Sequence, residues 1–365
     1  MRRSRRMNSG SGCGTDLRCG RWTLRTGLDC VDVVFCLLPC GGAGVRFRAL
    51  KAMPESRRNF AVALALLTTV FLSPLPRALG QGATAYVVMD SNTGHVLMEG
   101  NPKKKLAVGS LTDIATAMVV LDWLDLRKHD TNETVSIPPE ATTLPSNPIG
   151  FQPGDQASIR DLLYAALMQS DDIAAYTLAL HVGRDLPATT PNETPMQCFV
   201  AQMNALARKL GMQNTIFVNP TGLEIDERRL PYSTAEDMAL LTKYAMNRSQ
   251  FRFYVSQKAR EIAIDHASTA PSGYALQNTN ELVGVDAIDG VRTGTTRRNG
   301  ACVILSAARP PESVQQGTQY IITPRRLVVV VLGAQNRFDM GLRLLQNGWQ
   351  AYDQWSAAGR PLNRS

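Results

Sequence analysis

Beyond about residue 81, strand-like segments stand at the two ends of the chain and helical segments fill its middle. Ala85–Met89 and His95–Glu99 read as a hairpin around Asp90-Ser91-Asn92-Thr93-Gly94, whose residues tolerate tight backbone geometry. Ser110 to about Leu126, then residues 159–182, 198–210 and 234–247, show helical apolar spacing, and Gly183 and Gly211 stand where helices commonly stop. Strands return at Ile288–Thr293, Cys302–Ala307 and the nearly continuous β-branched run Leu327–Leu332. A last helix, over about Asp339–Trp355, closes the pattern. The expected fold class is α+β: a single domain over 82–355 whose terminal segments join in one sheet, followed by a tail at 356–365.

With 365 residues the chain can bury a substantial core, and no stretch approaches the roughly 20 apolar residues of a spanning helix. The net charge of +8 suggests a polyanion partner until it is divided along the chain. Residues 1–52 hold ten Lys/Arg against Asp16, Asp29 and Asp32, a surplus of +7, and residues 53–81 add +2. That leaves −1 for 82–365, which excludes nucleic acid as the expected partner of the folded region. Cys13, Cys19, Cys30, Cys36 and Cys40 also precede residue 52, without a CxxC pair, so a zinc site there is not expected. Cys198 and Cys302 read as two buried free thiols, although one disulfide remains open in an oxidising compartment.

From Met53 the order is Arg57-Arg58, the apolar run Phe60 to Leu72, then Pro74, Pro76 and the small-residue stretch Ala78-Leu79-Gly80. This is the layout of an export signal, so 53–80 is expected to be a signal peptide and the mature protein to begin near Gln81. Ser56-Arg57-Arg58-Asn59-Phe60 also resembles a twin-arginine signal. Met53 is then the expected start, with 1–52 an upstream or disordered leader, and the mature protein is expected in the periplasm or cell wall. No transmembrane anchor is seen.

HExxH, P-loop and GxSxG signatures are absent after Gln81, and His95, His129, His181 and His266 show no pairing, so neither a metal nor a cofactor is expected. Ser110-Leu111-Thr112-Asp113 opens the first long helix with Ser110 and Asp113 on one face, and read alone it is a helix cap. Ser170-Asp171-Asp172 read alone is a helix end, and Arg292-Thr293-Gly294 a strand margin. Their order and spacing are more informative than any one of them.

In that order the three segments resemble the Ser-x-x-Lys, Ser-x-Asn and Lys-Thr-Gly motifs of the penicillin-recognising serine enzymes. Gln152-Pro153-Gly154, Asp161-Leu162-Leu163-Tyr164, Asn219-Pro220-Thr221-Gly222-Leu223, Ser233-Thr234-Ala235-Glu236-Asp237-Met238, Asn278-Thr279-Asn280 and Val331-Leu332-Gly333-Ala334 are similar to the low-molecular-weight D-alanyl-D-alanine carboxypeptidases in particular. The resemblance covers roughly residues 84–352. It implies a β-lactamase/transpeptidase-like fold, an antiparallel sheet flanked by helices, with peptidoglycan stem peptides as partners and β-lactams as further ligands. It assigns Ser110 as acylated nucleophile, Ser170 as a proton-relay hydroxyl and Asp172 as a substrate contact. Arg292, Thr293 and Gly294 become the strand that holds a terminal carboxylate, and the N–H groups of Ser110 and Thr295 the oxyanion hole.

The chain departs from that pattern at three positions, with Asp113 and Arg292 where the family has Lys and Asp172 where it has Asn. Arginine keeps its charge and can grip a carboxylate. An ordinary aspartate, near pKa ~4, is a poor base at neutral pH, and its charge opposes a developing oxyanion. A second carboxylate nearby can raise that pKa, and Arg292 opposes the rise. The expected protein is therefore a catalytically weak or inactive relative, with a non-catalytic peptidoglycan-binding pseudoenzyme as the alternative to a serine-type carboxypeptidase.

Overall fold

The computed structural model describes residues 82–361 and, upstream, three strands: β1 (Cys19–Thr26), β2 (Asp29–Leu37) and β3 (Ala43–Arg46). The chain divides into two units, Met1–Arg77 and Ala78–Ser365. In the first unit the strands pair antiparallel in the order β1-β2-β3, where the sequence suggests an upstream or disordered leader. β-Branched Val31, Val33 and Val34 favour that extended backbone. The expected signal segment 53–80 lies outside the described residues.

The second unit is built on a five-stranded antiparallel sheet of β4 (Ala83–Asp90), β5 (Val96–Gly100), β10 (Ile288–Thr296), β11 (Gly300–Gln316) and β12 (Gln319–Ala334). Its order is β10-β11-β12-β4-β5, so segments from both ends of the unit join in one sheet, as expected. β12 explains its own composition. Leu327, Val329 and Val331 pack under α7 (Arg337–Ala357) against Leu344, Leu345 and Trp349. Val328, Val330 and Leu332 face the opposite way, with Val87 and Met89, into the core of the helical layer. A strand covered on both faces needs no polar alternation, and each fully buried side chain of this size stabilises the fold by about 1.5–3 kcal/mol.

The helical layer comprises α1 (Asp113–Arg127), α2 (Ile159–Gln169), α3 (Asp172–Gly183), α4 (Pro195–Lys209), α5 (Ala235–Met246) and α6 (Ser249–Val255). Side-chain caps open several of them: Ser158 accepts from Asp161 N at 3.1 Å, Thr234 from Asp237 N at 3.1 Å, and Thr194 forms a capping box with Gln197. Three features differ from the sequence pattern. The continuous helical stretch over 159–182 breaks at Ser170, whose φ of 59° turns the chain left-handed before Asp171 caps α3. Two small sheets also appear, β6 (Thr134–Ser136) with β7 (Gln156–Ser158) and β8 (Ala259–Ile264) with β9 (Ser272–Gln277).

The third difference is the length of β11 and β12, which run past the expected strands into an extended arm. Its far end exposes Val314, Tyr320, Ile321 and Ile322, and lacks the one-sided burial that makes a strand legible. Pro310 and Pro311 also interrupt the pattern, at a register shift between Arg309 and Glu312 where a missing N–H is tolerated. Among the described residues no helix is long and apolar enough to cross a membrane.

Candidate active site

The site forms where β10, an edge strand of the sheet, meets a 3-10 turn at Gly109–Thr112 that leads into α1. The approach is close because both partners supply glycine. A Cβ on Gly294 would lie 2.8 Å from Val108 O, and one on Gly109, at φ +54°, would lie 2.8 Å from Thr295 O. Half-buried Ser110 stands in this turn, and no hydrogen-bond partner contacts its hydroxyl among the described residues.

The helix cap that Ser110 and Asp113 suggest when read alone does not form: α1 has no side-chain cap, and the Asp113 carboxylate turns to Arg292 of β10. A charge-assisted bond to guanidinium outweighs a neutral cap. Arg292 is enclosed, its side chain fully buried in contact with Asp113. Its remaining donors reach Ser170 Oγ at 2.7 Å, Leu167 O at 2.8 Å and Ser110 O at 3.2 Å. The family resemblance assigns Arg292 to a ligand carboxylate; in the structure four of its five N–H donors already have protein partners.

α3 brings the remaining acids. Asp171 accepts from Ala174 N at 2.8 Å as its cap, and the Asp172 N–H donates to Ser146 O at 3.0 Å. Asp113 and Asp172 are 2% and 3% exposed, and Oδ1 of the first and Oδ2 of the second have no hydrogen-bond partner. Burial raises the Asp113 carboxyl to about 7, with the Arg292 charge and hydrogen bond opposing the rise. Asp172 is pushed up to about 8 by burial and then by the charges of Asp113 and Asp171. Burial lifts Asp171 to about 6, against the backbone N–H groups that hydrogen-bond it.

Thr293 donates to Thr279 Oγ1 at 2.7 Å, which ties β10 to the Asn278-Thr279-Asn280 segment. Thr295 is exposed further along β10, opposite Ala301. The structure thus gathers Ser110, Asp113, Ser170 and Arg292 through direct contacts, with Asp172 beside them and Thr293, Gly294 and Thr295 along the strand edge. It adds a residue absent from the sequence reading. Half-buried Arg337 donates to Gly294 O at 2.8 Å and to Thr295 Oγ1 at 3.2 Å, and no carboxylate pairs with it among the described residues. One sequence signal was available: a cation in the first turn of α7 opposes the helix dipole, which marks a position held for another reason.

Two histidines also meet at one carboxylate. Nδ1 of His129 lies 2.9 Å and Nε2 of His181 3.2 Å from the two oxygens of Glu133, a meeting across the helical layer that spacing in sequence does not reveal. Among the described residues no group of three or more His, Cys, Asp or Glu has metal-holding geometry, and Cys198 and Cys302 are free and buried.

A family model described as D-alanyl-D-alanine carboxypeptidase, peptidase S11, matches residues 76–316. The D-alanyl-D-alanine carboxypeptidase DacC of Escherichia coli is 32% identical over 280 residues, covering 74% of this chain and 62% of the relative. DacF of Bacillus subtilis is 27% identical, covering 63% of this chain and 55% of the relative. The chain thus spans between about half and two thirds of the length of these two relatives. A D-alanyl-D-alanine endopeptidase of Pseudomonas aeruginosa is 31% identical over 67% of this chain and 74% of its own length. Among solved structures, penicillin-binding protein D2 of Listeria monocytogenes, in its ampicillin-bound form, has a TM-score of 0.58 at 27% identity, covering 73% of this chain and 97% of that one. Streptomyces K15 DD-transpeptidase superposes with a TM-score of 0.62 at 24% identity, covering 74% and 97%, a likeness of fold.

Proposed function

Because the chain belongs to the D-alanyl-D-alanine carboxypeptidase family, we propose that it is an exported protein that recognises peptidoglycan stem peptides through their free C-terminal carboxylate while acylating Ser110 poorly. The observation that carries this reading is the Arg292 guanidinium, which pairs with Asp113 and donates a hydrogen bond to Ser170 Oγ where a catalytic base is needed. A serine hydroxyl is a weak nucleophile unless a neighbouring group accepts its proton. Asp113 is held by a cation, and Ser170 already accepts from that same cation, so the positive charge makes both poorer proton acceptors. A second reading is a slow serine carboxypeptidase in which the unpartnered Asp113 Oδ1 serves as base, favoured by a carboxyl raised to about 7.

Labelling with a fluorescent penicillin separates the two. The first reading expects little covalent label on Ser110, with a D-Ala-D-Ala peptide still bound in calorimetry. Rapid stoichiometric labelling that disappears in Ser110→Ala establishes the second.

With Arg292 enclosed, the cation that fits a ligand carboxylate is Arg337, anchored on Gly294 and Thr295 at the strand edge. Arg337→Ala is expected to weaken binding of a free-carboxylate peptide about tenfold, the scale of one charged hydrogen bond, and to leave the amidated peptide nearly unchanged. Equal losses for both peptides would remove Arg337 from carboxylate recognition.

A further inference from the structure

The Asp113–Arg292 pair leaves two further carboxyls beside it without a cation of their own. Arg292 is one guanidinium among three buried acids, Asp113, Asp171 and Asp172. Asp171 accepts from backbone N–H groups at the start of α3, and Asp113 has the Arg292 cation on one of its two oxygens. Asp172 has neither: its Oδ2 is buried without a donor, which an ionised carboxylate in such a place requires.

We infer that Asp172 carries a proton at neutral pH and acts as a charge switch for the cleft, so that losing this proton lowers affinity for ligands bearing a carboxylate. The inference rests on the functional reading above, in which the ligand is a peptide with a free C-terminus.

The charged groups that face Asp172 are Asp113 from α1, Asp171 from the turn before its own helix, and Arg292 from β10. From the segment before Ala141, Glu140 bears on Tyr176 instead, and Glu133 beside β6 faces His181 at the other end of α3. α2 contributes the neutral Ser170 hydroxyl at its C-terminal end. Two of the three near charges are negative, and with burial they lift the carboxyl to about 8. A protonated Asp172 is neutral, as the family's asparagine is. Deprotonated, it adds one negative charge to a poorly solvated site from which a ligand carboxylate is repelled through low-dielectric protein. The sign follows from the raised value. The proton is fully held well below the folded pKa and is lost as pH rises through it, so binding weakens in the alkaline direction.

The test uses two N-acetylated peptides ending in D-alanyl-D-alanine, one with a free carboxylate and one amidated, titrated calorimetrically at about pH 6.5 and about pH 9.5, on either side of the shifted carboxyl. Affinity for the free acid is expected to fall about tenfold over that range, a change of 1.4 kcal/mol. Affinity for the amide stays level, and Asp172→Asn makes the free-acid profile shallower, leaving the part that Asp113, with its carboxyl raised to about 7, contributes. Infrared spectra supply a readout without any ligand: at about pH 6.5 the unaltered protein shows protonated carboxylic acid absorption, part of it from Asp113, that is smaller by one carboxyl in Asp172→Asn and is lost near pH 9.5. A flat profile for the free acid in the unaltered protein overturns the switch. So does an equal pH dependence in Asp172→Asn. If neither peptide binds at any pH, the functional reading falls, and the infrared comparison alone decides the proton: an acid band unchanged in Asp172→Asn overturns it.

Discussion

Replacing Asp113 with Lys, Asp172 with Asn and Arg292 with Lys in one protein is expected to raise penicillin acylation of Ser110 by about 10²–10⁴-fold over the unaltered chain, the usual contribution of a positioned base. The matched segments around all three sites suggest a scaffold that can still place a lysine three residues beyond the nucleophile. Sequence alone recommends changing only Asp113 and Asp172, since arginine at 292 preserves the charge. The structure adds the third change. The Arg292 fork closes around Asp113, Ser170 and Leu167 O, so a lysine at 113 meets a buried guanidinium directly. Lysine at 292 releases that fork geometry and leaves Ser170 Oγ free to relay a proton. Asp172→Asn also removes the carboxylate that would hold the new ammonium protonated. Stopped-flow or gel-based penicillin labelling reads the rate, and Ser110→Ala in the triple background must abolish it. A folded triple variant that labels no faster shows a cleft diverged beyond these side chains and strengthens the binding reading.

The second large effect is on stability. Asp113→Ala leaves the Arg292 guanidinium buried without its partner and is expected to cost about 3–5 kcal/mol, read from urea denaturation midpoints with an unchanged slope. The pair itself is a different matter. Exchanging both residues for apolar side chains of similar volume, Asp113→Leu with Arg292→Met, is expected to restore most of that loss, because desolvation of both ions disappears together. A double variant as unstable as the single one would show that the remaining Arg292 contacts, to Leu167 O and Ser110 O, hold the turn in place independently of the ion pair. These measurements also bear on function: a cleft that loses its fold with the pair has been rebuilt around Asp113 and Arg292.

Much of the architecture was legible because burial leaves a periodic trace. Leu327–Leu332 and all but the last turn of α1 are covered on every side and read as apolar runs, while α7 exposes one face and shows helical apolar spacing. The candidate residues were legible for another reason: Ser110, Ser170 and Arg292 stand in short segments whose order is retained even where the chemistry changed. The break at Ser170, the small sheets and the long β11–β12 arm left no such trace, since a left-handed residue and a strand exposed on both faces have no hydrophobic period. Sequence could say that Asp113 and Arg292 carry opposite charges; only the packing of β10 against the Gly109–Thr112 turn decided that they meet. That contact encloses Arg292, turns Asp113 away from capping its helix and leaves Asp172 without a cation of its own, while half-buried Arg337 stays on the strand edge. Pairings between residues 179 positions apart depend on where a strand edge and a helix start come to rest. Local spacing carries no record of that.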